Sequence, residues 1–276
     1  MRFISLFAGI GGLDLGFERA GMYCVAQVEI NPFCKKILAK HWPHVPRYGD
    51  IRDVGKHNLP EADLICGGFP CQPHSLAGGR KASIDDRDLW PEFARIVREC
   101  QPRWVVAENV SGLLSSEAGR FFGRVLADLA ASGYCIEWQS LPAAAFGAPH
   151  IRERVFIIAH HEGSGEGQVS ISTWRSQQEN IDADGICGAL PNTNHTGRET
   201  SRPAMSQERE APYTMFRECG QYFEQYEGWK VEPAVGRVAN GVPGRVDRLR
   251  GLGNAVVPLV AEFIARSILL AESAKQ

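Results

Sequence analysis

Four stretches of the chain hold residues whose types and spacing suit chemistry. One is Gly67-Gly68-Phe69-Pro70-Cys71-Gln72-Pro73, which follows an apolar run at 62–66. A thiol between two prolines in a glycine-rich loop is a nucleophile candidate. Only an exposed, partly ionised thiol reacts, whereas one inside an apolar run, such as Cys66, behaves as a small hydrophobe. A second is Glu108-Asn109-Val110, closing the run that starts at Trp104. A carboxyl group there can give a proton or a hydrogen bond to a substrate ring. A third is Pro149-His150-Ile151-Arg152-Glu153-Arg154, whose alternate arginines suit a phosphate or a carbonyl oxygen. The fourth is Ala8-Gly9-Ile10-Gly11-Gly12, set between an apolar run and a helical pattern, where backbone N–H groups can approach a cofactor. Glu29, seventeen residues past Gly12, can accept both hydroxyls of a ribose, and Asp50 can accept from an adenine amino group. A nucleoside-bearing cofactor without a pyrophosphate, such as S-adenosylmethionine, fits that spacing better than a dinucleotide.

The elements that must position these residues follow from periodicity. Short apolar runs at 3–7, 24–28, 62–66, 104–108, 136–141 and 155–159 predict strands. Leu89, Phe93, Ile96, Val97 and Cys100 mark one face of a helix, and Phe121, Phe122, Val125, Leu126 and Leu129 mark another that Gly133 stops. Strands alternating with helices predict an α/β fold with a mainly parallel sheet and ligands at the carboxyl ends of its strands. From His160 to about Val235 the composition turns to Gly, Ser, Thr, Asn, Gln and Glu with isolated aromatics, which predicts a small loop-rich second domain. Beyond it, Leu259, Phe263, Ile264, Ser267 and Ile268 form the apolar side of a last helix, whose nearest suitable core is the first domain.

A length of 276 residues with 44% apolar and 22% charged residues allows one large domain, or one plus a small insert, and excludes a disordered chain. No apolar run approaches the ~20 residues that cross a bilayer. The apolar start, 3–10, is followed by Gly11, Gly12, Asp14, Glu18 and Arg19, which predicts a strand and turn instead of an export signal. Eight scattered cysteines with no Cys-x2-Cys pair predict reduced thiols, no metal site and a cytoplasmic location. Charge is uneven: +1 over 1–159, −6 over 160–235 and +3 over 236–276. Arg237, Arg245, Arg248 and Arg250 lie within fourteen residues, either a phosphate-contacting patch or a solvated loop.

Taken in order, Phe7-Ala8-Gly9-x-Gly11-Gly12, Gly68-Phe69-Pro70-Cys71-Gln72, Glu108-Asn109-Val110, Arg152-x-Arg154 and Gly253-Asn254 resemble the cytosine-5 DNA methyltransferase family over roughly 3–159 and 235–270. The resemblance implies a Rossmann-like S-adenosylmethionine-dependent sheet domain, 1–159 plus 250–276, with a target-recognition domain at 160–235 and a hinge or arginine-rich loop at 236–249. It implies that Phe7, Ala8, Gly9, Ile10, Gly11, Gly12 and Ile30 hold the cofactor, with Glu29 on its ribose and Asp50 and Ile51 at the adenine. Pro70 and Leu89 line the pocket, and Asn254 reaches the amino-acid end. Cys71 is the implied nucleophile. Glu108 binds the cytosine ring nitrogen 3 and amino group, Arg154 the carbonyl oxygen, and Arg152 supports it. Gln72, Ser75, Arg80, Lys81, Arg237 and Arg245 are the expected nucleic-acid contacts, and the composition of the loop 77–88, with Gly78, Gly79, Arg80 and Lys81, predicts a flap that closes over a flipped base. His74 and His150 stand where the family often has Phe and usually has Gln, and the family's signature before its last motif is not recognisable at 235–250.

The expected activity is transfer of a methyl group to cytosine in a specific duplex DNA sequence, through a transient Cys71 adduct with base flipping. The setting is restriction–modification or orphan DNA methylation. Double-stranded DNA is the expected partner of a monomeric, cytoplasmic, DNA-associated protein without metal. An RNA cytosine-5 methyltransferase, a non-catalytic nucleic-acid-binding relative and a methylase of proteins or small molecules are the competing readings. The −6 of the middle segment is the strongest argument against DNA.

Overall fold

Phe3, Ile4 and Leu6 on the first strand, and Leu64, Ile65 and Cys66 on the fourth, are all buried, as the middle strands of a sheet covered on both faces must be. The computed structural model describes residues 1–70, 88–161 and 244–273. Its elements are β1 (Arg2–Leu6), α1 (Gly12–Arg19), β2 (Tyr23–Val28), α2 (Pro32–His41), β3 (Arg47–Tyr48), β4 (Leu64–Gly68), α3 (Trp90–Cys100), β5 (Trp104–Val110), α4 (Arg120–Ala131), β6 (Tyr134–Pro142), β7 (Glu153–His161), α5 (Arg245–Asn254) and α6 (Pro258–Ser273). Cys71, Gln72, Ser75, Arg80, Lys81 and Arg237 lie outside the described residues, as do the loop 77–87 and nearly all of the expected second domain.

Among the described residues the strands form one seven-stranded sheet in the order β3-β2-β1-β4-β5-β7-β6. The first five are parallel, and β7 runs antiparallel to both its neighbours. The six predicted strands are all present, within a few residues of their expected ends. The reversal of β7 matters most for chemistry, because it brings the start of β7 to the carboxyl end of β5. Val110 there pairs with Arg154, and Glu108 with Phe156.

Three elements were not predicted: β3, α2 and α5, the last starting at Arg245 inside the segment 236–249 expected to be a hinge or arginine-rich loop. Strand β3 has two residues, too short for any periodicity. Helix α2 has a weak apolar face but a clear start: Asn31 caps it, its Oδ1 accepting from the Phe33 N–H at 2.9 Å, and Pro32 occupies the first turn. The predicted helices α3 and α4 bury Trp90, Phe93, Ile96 and Val97, and Phe121, Val125 and Leu129. Gly133 ends α4 at φ 87°, its N–H donating to the Ala130 oxygen at 2.9 Å.

Helix α6 packs on α1, and the apolar side it buries differs from the expected one. Val260, Ala261, Ile264, Ala265 and Ile268 face inward, while Phe263 turns toward Phe146, with ring centroids 5.4 Å apart. Gly16 explains the shift: a Cβ there would stand 2.5 Å from the Ala261 Cβ, so small residues meet where the helices are closest. The most apolar 18-residue window of the described helices, mean hydropathy 1.6, lies in 245–273. Ala255 is extended between α5 and α6, and α6 buries its inner side against α1 and the turn at Ala143–Phe146.

Beneath the start of α1, Asp14 is fully buried and accepts from Ser5 Oγ at 2.9 Å, Gln27 Nε2 at 2.8 Å and Cys24 Sγ at 3.6 Å. These bonds tie α1 to β1 and β2. Burial pushes the Asp14 carboxyl above its usual range, partly offset by those donors.

Candidate active site

The loop from β1 to α1 turns with Phe7 at φ 52°, Gly9 at 57° and Gly11 at 87°, backbone that favours glycine. Gly11 has no room for a side chain, since a Cβ would stand 2.5 Å from the Trp42 ring. A Cβ on Gly12 would land on the Val256 carbonyl oxygen, so α1 and the loop before α6 share this corner. Glu29, just past β2, accepts from the Gly9 N–H and the Asn31 N–H, each at 2.7 Å. One carboxylate therefore sets both the glycine loop and the approach to α2. Asp50 accepts from the Arg52 N–H at 3.0 Å, and Ile51 behind it is buried.

These groups border a cavity of about 430 Å³ at the carboxyl ends of the parallel strands. Of the expected cofactor residues, Phe7, Ala8, Gly9, Gly12, Glu29, Ile30, Asp50, Ile51, Pro70, Leu89 and Asn254 line it. Ile10 and Gly11 do not. Gly11 is buried under Trp42, and Ile10 faces Gly251 of α5, so both shape the loop from behind.

Glu108 and Arg154 line the same cavity. Glu108 is 6% exposed, and its Oε1 lies 3.1 Å from Arg154 Nε. Desolvation raises its pKa from 4.5 to about 7, against the smaller opposing pull of Arg154 and then Arg152. The carboxyl group can therefore be neutral or charged near neutral pH. Gly68 on β4 makes room for it, as a Cβ there would stand 2.7 Å from Glu108 Oε2. Asn109 is buried beside it: its Nδ2 donates to the Phe69 oxygen at 3.0 Å, and its Oδ1 accepts from the Val110 N–H at 2.9 Å. The end of β5 is thereby bonded to the segment that leads into Pro70.

Arg152 departs from its expected place beside Arg154. It precedes β7 at φ 36°, and its Nη2 donates to the Gly253 and Ala255 oxygens, each at 2.6 Å. The expected strand alternation fails because residue 152 is not yet in the pleat. Arg245 is exposed in the first turn of α5. Asn31, Gly68, Asn109, Asp247 and Val256 also line the cavity with no role expected from the sequence, and Arg250, expected in a phosphate-contacting patch or a solvated loop, lines it too. The Asn31-Pro32 cap was a usable signal; Asp247 and Arg250 had none beyond the arginine-rich composition around them. Among the described residues no group of three or more His, Cys, Asp or Glu could hold a metal ion.

Residues 1–228 match the family model for C-5 cytosine-specific DNA methylase. The chain is 35% identical over 166 residues to Type II methyltransferase M.BsuFI of Bacillus subtilis, covering 60% of this chain and 40% of that one. It is 37% identical over 180 residues to Type II methyltransferase M.AquIA of Picosynechococcus sp., covering 59% and 73%. The chain thus spans less than half the length of M.BsuFI, and likewise 42% of M.HgiCII of Herpetosiphon aurantiacus. In fold it is similar to the S. pombe Dnmt2 methyltransferase, with a TM-score of 0.58 and 17% identity over all of both chains. A protein described as a DNA modification methyltransferase encoded within an E. coli prophage gives 0.62 and 20% over 99% of both. Those two likenesses support the Rossmann-like sheet, and the family model, matching well over half of the sequence, supports more: this chain belongs to the C-5 cytosine-specific DNA methylase family.

Proposed function

We propose that the chain is a DNA cytosine-5 methyltransferase, which moves the methyl group of S-adenosylmethionine to carbon 5 of cytosine in a specific sequence of duplex DNA. Its expected setting is restriction–modification, in the cytoplasm and as a monomer. The observation that carries this reading is the Glu108–Arg154 pair, a buried carboxyl that can hold a proton beside a fixed guanidinium. The pair borders the same cavity as Glu29, Asp50 and the glycine loop.

The cavity residues fit the cofactor. The volume is in the range of nucleoside-sized ligands, and a Cβ on Gly9 would meet nothing nearer than the Phe7 oxygen at 4.0 Å, so the loop leaves its cavity side open. Glu29 would take the ribose hydroxyls, Asp50 and Ile51 the adenine, and Asn254 the amino-acid end. When bound, S-adenosylmethionine supplies an electrophilic methyl group on a sulfonium.

Carbon 5 of cytosine is a poor nucleophile. A Cys71 thiolate adding to carbon 6 breaks the ring's aromaticity and places electron density on carbon 5. Protonated Glu108 donates to ring nitrogen 3 and favours that addition, while Arg154 holds the carbonyl oxygen. After methylation a base, a role water can fill, takes the carbon 5 proton, and the electrons of that C–H bond re-form the 5,6 double bond and expel Cys71 as its thiolate. A stacked base cannot be attacked on its face, so the nucleotide must first leave the helix, at a cost of a few kcal/mol. Gln72, Ser75, Arg80, Lys81, Arg237 and Arg245 are the proposed contacts to the DNA.

The test is labelled S-adenosylmethionine with duplex DNA and, separately, RNA, followed by base-resolution mapping. Wild type should label cytosine in DNA and Cys71→Ser should not. A duplex holding 5-fluorocytosine should trap an adduct on Cys71. Label on adenine, preference for RNA, or full labelling by the serine variant refutes the proposal.

A further inference from the structure

We propose that Arg152 is a positioning residue for the cofactor end of the cavity, acting through the loop between α5 and α6, and is not part of the base-binding group formed by Glu108 and Arg154. This rests on the reading of the cavity as a S-adenosylmethionine site. Arg152 Nη2 bonds the carbonyl oxygens of Gly253 and Ala255, which flank Asn254. Gly253, Asn254, Ala255 and Val256 all line the cavity. Val256 also abuts Gly12 of the glycine loop, whose Cβ position its carbonyl oxygen occupies. One guanidinium group therefore holds a wall whose far side sets the start of α1.

The local backbone shows why a donor is needed there. Ala255 is extended, so the last carbonyls of α5 have no following helical turn to bond them. Those carbonyls also carry the negative end of the α5 dipole, which favours a cation. Arg152 is itself held in place, because its own oxygen accepts from the Ala143 N–H at 3.3 Å, and the Ile151 oxygen from the Ala144 N–H at 3.4 Å. Its φ of 36° is unfavourable for a residue with a side chain, and the surrounding bonds over-determine it. Arg154, two residues on and inside the pleat of β7, sends its guanidinium to Glu108 instead. The two arginines thus serve different walls of one cavity, and Arg152 reaches Glu108 only as the lesser of the two charges acting on it.

The experiment measures binding of S-adenosylhomocysteine to the full chain without DNA, so that no turnover is needed. Wild type, Arg152→Ala, Arg152→Lys and Arg154→Ala are compared, with the ligand-induced rise in Tm as a second reading of each affinity. Arg152→Ala should bind about tenfold or more weakly, as expected when hydrogen bonds from a charged donor are lost. Arg152→Lys should fall between it and wild type, because an ammonium can serve one carbonyl but lacks the planar fork; it also keeps the test open if the alanine variant does not fold. Arg154→Ala should bind close to wild type. In methyl transfer, Arg152→Lys should raise the KM for S-adenosylmethionine with little change in kcat, and Arg154→Ala should lower kcat. Unchanged S-adenosylhomocysteine affinity in both Arg152 variants, with kcat lost, overturns the inference. Failure of wild type to bind S-adenosylhomocysteine overturns the reading of the cavity on which it rests.

Discussion

Replacing Glu108 with Gln should make the protein less dependent on pH for its stability, by an amount the site itself sets. Folding raises the Glu108 pKa from 4.5 to about 7, so the folded chain holds this proton more tightly than the unfolded one. Between those values folding takes up a proton, and stability falls as pH rises; above about 7 both states are ionised and the full penalty is present. A rise of this size corresponds to about 3 kcal/mol in all, of which about 2 kcal/mol develops between about pH 5.5 and pH 8. The attraction of Arg154 is already contained in that value, since it pulls the pKa down. Every other titrating group is common to both proteins and cancels in the comparison. Urea unfolding of wild type and Glu108→Gln at the two pH values should therefore show the variant gaining about 2 kcal/mol on wild type at the higher pH. A gap that does not change with pH, or that moves in favour of the carboxylate, refutes the argument that desolvation outweighs the arginine.

Three other substitutions test the packing around the cavity. Gly68→Ala should push the Glu108 carboxylate aside, destabilise the fold by about 1–3 kcal/mol and reduce methyl transfer more than S-adenosylhomocysteine binding, read by calorimetry and kcat. Gly12→Ala should collide with the Val256 carbonyl, lowering Tm and S-adenosylhomocysteine affinity together. Glu29→Ala should leave the Gly9 and Asn31 N–H groups without their acceptor, costing about 1–3 kcal/mol for each that water does not reach, and weaken S-adenosylhomocysteine binding in a direct titration.

Much of the frame was legible because buried parallel strands read as continuous apolar runs, and all six predicted strands are present. Glycine loop and Glu29 were legible for a related reason: in a parallel sheet, residues just past strand ends converge without further information, whereas Asp50 follows β3, a strand too short to predict, and was placed only in the next loop. The direction of β7 was not legible, because direction depends on which edge a strand joins, a matter of non-local pairing. Without that direction, the meeting of Glu108 and Arg154 followed from the resemblance and not from spacing. Arg152 was misplaced because alternation was extended one residue beyond the pleat. Asn31-Pro32 marked α2 plainly enough, but the weak apolar face that follows hid it.

The contact between Gly12 and Val256 joins the first helix of the chain to a segment made 244 residues later. During synthesis at ordinary ribosomal speeds, the first turn of α1 waits roughly 10–50 s for its neighbour. A wall built from such distant pieces closes late, since loop entropy must be overcome before the contact gives anything back. The nascent protein should accordingly acquire its nucleoside pocket only once residue 256 has been made and released, and a ribosome-stalled chain ending before residue 244 should have strands in register yet no capacity to retain the ligand.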